Sequence, residues 1–139
     1  MTIQSINPAT EEVIAEYPEH TRAQVDQALA GAAAAQRTWA ARPFADRAVL
    51  MRRAAAYLRE HKARLGRLIT LEMGKPIEQS EAEVEKCAWN CDYYAENAEG
   101  FLADTVIATN ARRSFVAYQP LGVVLAVMPW NFPLWQVFR

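Results

Sequence analysis

An α/β fold is what these 139 residues predict, and three observations carry that expectation. The opening residues alternate in polarity on either side of an Asn-Pro turn, as a β-hairpin does. Apolar side chains then recur at helical spacing through a long middle region. Near the end, Val123-Val124-Leu125-Ala126-Val127-Met128 is continuously apolar, the pattern of a strand buried on both faces of a parallel sheet.

The hairpin turns at Ile6-Asn7-Pro8-Ala9-Thr10, where proline fixes φ and asparagine favours the turn, and a short return strand runs from Val13 to Pro18. Thr21-Arg22-Ala23-Gln24 has the T-x-x-Q form of a capping box. Val25, Ala28, Leu29, Ala32, Ala35 and Trp39 follow on one helical face. Pro43 sits where a second helix would start, with Leu50, Ala54, Tyr57, Leu58, Leu65, Leu68 and Ile69 as its stripe. His61 and Gly66 are the positions expected to split that stripe into two segments. Gly74-Lys75-Pro76 reads as a stop, because glycine accepts a left-handed C-cap and proline cannot continue a helix. A third periodic stretch carries Val84, Cys87, Ala88, Cys91, Tyr94, Ala95 and Ala98, with Gly100 near its end. Glu78, Glu81 and Glu83 are expected to face solvent in its first turns, complementing the positive end of the helix dipole. After an irregular stretch over 104–112, residues 114–119 alternate as a strand would. Residues 129–133 break the apolar run, and a helix is expected from Leu134.

Composition excludes several function classes. The hydrophobic fraction of 52% suffices for a core, and a net charge of -1 gives no general attraction for nucleic acid or an anionic membrane. Arg52-Arg53 and Arg112-Arg113 read as solvated basic pairs. The start lacks the basic and apolar regions of a signal peptide, and the longest apolar stretch is too interrupted to span a bilayer. The two cysteines, Cys87 and Cys91, fall on one helical face with no histidine nearby. They read as small apolar core residues, not as a zinc site or a disulfide.

The order of elements is unusual for a finished domain. Helices come first, and a strand that needs neighbours on both sides arrives just before the chain ends, so a truncated sequence is expected. In open α/β sheets, ligands bind at the carboxyl ends of strands. The segment after Met128 is such an end and carries one polar side chain, Asn131, among prolines and aromatics. A carboxamide donates two N–H groups without bearing charge. It can therefore stabilise a developing oxyanion, or it can satisfy backbone groups in the turn.

Pro120-Leu121-Gly122-Val123-Val124 and Met128-Pro129-Trp130-Asn131-Phe132-Pro133 resemble the aldehyde dehydrogenase superfamily. So do Ile6-Asn7-Pro8-Ala9-Thr10, Leu71-Glu72-Met73-Gly74-Lys75-Pro76 and Tyr93-Tyr94-Ala95-Glu96, in the family's order. The resemblance covers essentially the whole chain, and its Pro-Trp-Asn-Phe-Pro element is the most specific part. It implies an N-terminal hairpin and helices leading into an incomplete Rossmann-like cofactor domain, with residues 1–139 as the N-terminal part of that domain. It implies an oxidoreductase that converts an aldehyde to the acid with NAD or NADP. Asn131 is implied as the oxyanion-hole donor, and Met128, Pro129, Trp130 and Asn131 as the lining of the nicotinamide end. The family's nucleophilic cysteine and general-base glutamate lie beyond this chain, and neither Cys87 nor Cys91 takes the nucleophile's place.

Residues 133–139 resemble the members that act on succinate semialdehyde, where an arginine like Arg139 faces the substrate. The alternative for Arg139 is a surface side chain. The lack of a signal-peptide pattern and the two apolar-face cysteines fit a reducing, cytoplasmic compartment, and the resemblance further implies an enzyme that forms homo-oligomers when intact. Two other readings stand beside it: a non-catalytic helical module that binds a full-length homologue, and a dehydrogenase for another aliphatic aldehyde.

Overall fold

The computed structural model describes residues 2–139. Strands β1 (Thr2–Ile6) and β2 (Val13–Pro18) form the expected antiparallel hairpin, with Ile3 opposite Tyr17 and Ser5 opposite Ala15. Asn7 sets its turn: the side-chain oxygen accepts from the Ala9 amide at 2.9 Å, and the backbone exchanges hydrogen bonds with Glu11 and Glu12.

Helix α1 (Arg22–Ala40) begins at the expected capping box. Thr21 Oγ1 accepts from the Gln24 amide at 3.3 Å, and Gln24 Oε1 accepts from the Thr21 amide at 2.8 Å. Two donors that a helix start leaves orphaned are thereby satisfied. The apolar stripe of α1 stays uncovered, with Val25, Leu29 and Trp39 all exposed.

Helix α2 (Phe44–Glu60) takes Pro43 as its N-cap, and α3 (Lys62–Met73) follows after a break at His61. Of the two expected breaks, only His61 is real; Gly66 lies buried inside α3. A Cβ at Gly66 would sit 2.7 Å from Glu81 Cγ and 3.2 Å from the Glu81 amide nitrogen. The glycine is there for close helix approach, so it costs helix propensity without ending the helix. Gly74 caps α3 in the left-handed region at φ 77°, as expected.

Helix α4 (Ile77–Phe101) is the centre of the molecule and packs against both α2 and α3. Its buried stripe of Ser80, Glu83, Val84, Cys87, Ala88 and Cys91 meets Ala55 and Leu58 of α2 and Ile69 of α3. Small side chains dominate this seam, which lets the helices lie close without a large aromatic core. Cys87 and Cys91 are free, buried thiols in it, as the sequence implies. Glu83 is the correction here. It is not solvated: it occupies the buried face four positions before Cys87, where helical geometry must aim it inward.

The last third departs most from expectation. Strand β3 (Thr105–Val106) lies in the stretch expected to be irregular, and it pairs with β4 (Phe115–Val116), a short remnant of the strand expected over 114–119. Residues 123–128 form no strand and are exposed, Leu125 at 87%. A strand buried on both faces exists only between partners that take its N–H and C=O groups and cover its side chains. No described residue does either here. Helix α5 (Trp135–Phe138) is the single turn that forms where a helix is expected, and it docks on α4. Among the described residues, no helix is long and apolar enough to cross a membrane.

Candidate functional site

The segment 128–139 is held to the helical body by α4. Leu134, Trp135 and Phe138 lie against the core cluster and supply the apolar part of that attachment. The polar part centres on Glu83. Its Oε1 accepts from the Leu134 and Trp135 amides, both at 3.1 Å, and its Oε2 accepts from Lys75 Nζ at 2.6 Å. The side chains of Lys75 and Glu83 are 6% and 1% exposed, so the ion pair is shielded from water. Lys75 Nζ also donates to the Asn131 carbonyl at 3.4 Å and lies 3.7 Å from the centre of the Phe132 ring.

Further along, the Asn90 side-chain amide donates to the Phe138 carbonyl, and the Tyr94 hydroxyl donates to the Arg139 carbonyl at 3.2 Å. Lys86 Nζ lies 4.0 Å from the Trp135 ring centre. One face of α4 thus carries the carboxylate, amide and hydroxyl that hold this segment from Leu134 to the last residue.

Sequence reasoning alone misses these partners. It reads Lys75 only as part of a helix stop, and Glu83 only as a dipole complement. The signal that could have found them is register: Glu83 falls on the same helical face as Val84, Cys87 and Cys91, and a carboxylate on a buried stripe requires a cation or amides to meet it.

The sequence-predicted residues lie as follows. Met128, Pro129, Trp130 and Asn131 are contiguous and solvent-facing, with Trp130 74% exposed. The Asn131 backbone is engaged through its carbonyl, while its carboxamide makes no hydrogen bond among the described residues. Trp130, Pro133 and Leu134 border an open cleft of about 880 Å³ whose other walls come from the hairpin and α3. Arg139 directly follows α5. Its backbone is fixed at both ends, through Trp135 and Tyr94, and its guanidinium is exposed with no ion pair among the described residues.

The cysteines are chemically quiet. Burial pushes the Cys87 thiol up to about 12, with Glu83 and Cys91 adding to the effect, and burial also raises Cys91. A thiol so held is not a nucleophile at neutral pH. Both should resist a disulfide-exchange reagent in the folded chain and react fully once guanidinium unfolds it. Fast labelling of either in the native state would contradict this arrangement. The same shift predicts alkaline sensitivity. Unfolded Cys87 loses its proton near 9, whereas the folded thiol keeps it to about 12. The unfolded state therefore binds fewer protons in that window, and stability falls as pH rises through it, by about 1.4 kcal/mol per pH unit for this thiol.

Comparisons with known proteins agree with this layout. The model of the aldehyde dehydrogenase family matches residues 1–139. A probable NADP(+) succinate-semialdehyde dehydrogenase from Synechocystis is 49% identical over 139 residues, covering 100% of this chain and 31% of that protein. The Escherichia coli succinate semialdehyde dehydrogenase [NAD(P)+] Sad is 42% identical over 97% of this chain and 29% of its own length. The crystal structure of succinic semialdehyde dehydrogenase from Streptococcus pyogenes, in complex with NADP+, superposes with a TM-score of 0.91 at 32% identity. That match covers 97% of this chain and 30% of that one. The chain therefore spans about 30% of the length of the relatives it matches. With its hairpin, capped helices and Pro-Trp-Asn-Phe-Pro loop all inside the matched region, this chain belongs to the aldehyde dehydrogenase family.

Proposed function

We propose that residues 1–139 supply the oxyanion donor and the nicotinamide-facing wall of an NAD(P)+-dependent succinate-semialdehyde dehydrogenase. The observation that carries this reading is the state of Asn131. Its backbone is tied to a buried lysine, while its carboxamide is exposed and without a partner among the described residues. A rigidly mounted, uncharged donor is what a carbonyl oxygen needs as negative charge develops on it, because no reorganisation is then required at the moment of reaction.

The residues before Asn131 fit one end of a nicotinamide cofactor. Met128, Pro129 and Trp130 present an apolar, uncharged surface, suited to a flat ring and not to phosphates. NAD(P)+, when bound, supplies the hydride acceptor; this chain's part is to position the ring and hold the aldehyde oxygen. Residues 1–139 are, on this reading, the N-terminal part of the cofactor-binding domain, and the rest of the enzyme contributes the nucleophile and base. The relatives named for succinate semialdehyde support the substrate, whose distal carboxylate pairs with the guanidinium of Arg139.

The test is a chimera in which residues 1–139 replace the matching part of the Synechocystis relative, assayed by NAD(P)+ reduction with succinate semialdehyde. Oxidation of succinate semialdehyde in preference to neutral aliphatic aldehydes supports the reading. Preference for another aldehyde overturns the substrate, and a folded but inactive chimera overturns the enzyme. Within the active chimera, Arg139→Ala should raise KM for succinate semialdehyde far more than for a neutral aldehyde of similar length. Equal effects on both would remove Arg139 from the substrate site.

A further inference from the structure

The Lys75–Glu83 pair stands outside every role assigned so far. A buried ion pair is not explained by stability, since desolvating two charges costs about as much as their attraction returns. What distinguishes this pair is where its remaining contacts go. Lys75 reaches the Asn131 carbonyl and the Phe132 ring, and Glu83 reaches the Leu134 and Trp135 amides. Five consecutive residues, with Pro133 at their centre fixing its own φ, are thus gripped from one side by two charges. Among the described residues, the carboxamide of Asn131 takes no part in the grip and makes no hydrogen bond.

We propose that Lys75 and Glu83 are positioning residues, a buried clamp that sets the direction in which the Asn131 carboxamide points. The inference rests on the functional reading above for its catalytic consequence, but the clamp itself is a property of residues 1–139. Lys75 fixes the peptide plane on the C-terminal side of Asn131. Glu83 fixes the two amides that begin α5, which would otherwise be orphan donors at a helix start. These contacts hold the backbone on the C-terminal side of Asn131 and so restrict the directions its side chain can take. The Leu71-Glu72-Met73-Gly74-Lys75-Pro76 element gains a function in the same stroke. The left-handed cap at Gly74 ends α3 and turns the chain so that Lys75 points inward between α4 and the Asn131 segment.

The experiment is amide hydrogen exchange on the 139-residue chain, comparing wild type with the double variant Lys75→Met plus Glu83→Leu and, as a control, Glu83→Gln in the Lys75→Met background. The double variant keeps volume and removes both charges together, so the helical body remains folded. Exchange at Leu134 and Trp135 should rise in it by about tenfold or more, as expected when hydrogen bonds to a charged acceptor are lost. The amides of Val84 and Cys87 should keep wild-type rates. The Glu83→Gln control retains a side-chain oxygen for both amides and leaves no buried cation facing the new carboxamide NH2 group, so it should restore most of the protection. Unchanged rates at Leu134 and Trp135 in the double variant overturn the clamp, as does a rise no larger than at Val84 and Cys87.

A second readout is kinetic. In the Synechocystis chimera, the double variant should lower kcat by about tenfold or more while leaving KM for NADP+ unchanged, the signature of a contact needed only in the transition state. An unchanged kcat overturns the positioning role. A chimera that is inactive with the wild-type segment overturns the functional reading, while the exchange experiment still decides the clamp.

Discussion

Glu83→Ala should cost about 3–5 kcal/mol, the range found when one partner of a buried ion pair is removed. The loss has identifiable parts. Lys75, only 6% exposed, is left with a carbonyl at 3.4 Å and an aromatic ring as its partners. The Leu134 and Trp135 amides lose their acceptor, so α5 loses its polar attachment to α4. A cavity also opens on the α4 face that carries Val84 and Cys87. Typical domains are stable by about 5–15 kcal/mol, so this one truncation takes a large fraction. Urea unfolding followed by far-UV circular dichroism measures it. A loss of less than about 1 kcal/mol would mean that the pair is solvated in solution. The contrast with Lys75→Met plus Glu83→Leu is informative: that variant also deprives the Leu134 and Trp135 amides of their acceptor but strands no buried charge, so it should cost clearly less than Glu83→Ala. Single and double variants together separate what the pair does for folding from what it does for geometry.

Local rules carry much of the fold. The Asn7-Pro8 turn, the Thr21–Gln24 capping box, the Gly74 cap and the Cys87–Cys91 face are all decided within a few residues, and each is legible in the amino-acid sequence alone. The misses are all long-range. Gly66 resembles a breaker because its partner, Glu81, lies on another helix. Glu83 resembles a surface carboxylate because its cation sits eight positions earlier and its amides 51 and 52 positions later. The run over 123–128 reads as a buried strand by composition, yet composition specifies a demand for neighbours and not their presence. Asn131 is picked out as a candidate by its chemistry and by the resemblance. The buried charges that mount it are hidden in two short elements that read only as a stop signal and a dipole complement.

Asn131→Ala in the Synechocystis chimera should lower kcat by about 10² to 10³, the typical effect of deleting one oxyanion donor. The magnitude follows from where the group acts. Its hydrogen bond is weak while the aldehyde carbonyl is neutral and strong once the oxygen is anionic, so the loss falls on kcat more than on KM. Stability should barely change, within about 0.5 kcal/mol, because the side chain is exposed and none of the described residues depends on it. That separation is the value of the position: unlike Glu83, it can be changed without disturbing the fold. Asn131→Asp sharpens the test. The aspartate has nearly the same shape but offers an anion in place of the donors, so it should be at least as damaging as alanine despite filling the space. A decrease of less than about tenfold for both variants, with thermal unfolding unchanged, would show that the oxyanion is held by other groups. The exposed carboxamide would then be a surface side chain on a loop whose rigidity serves something else.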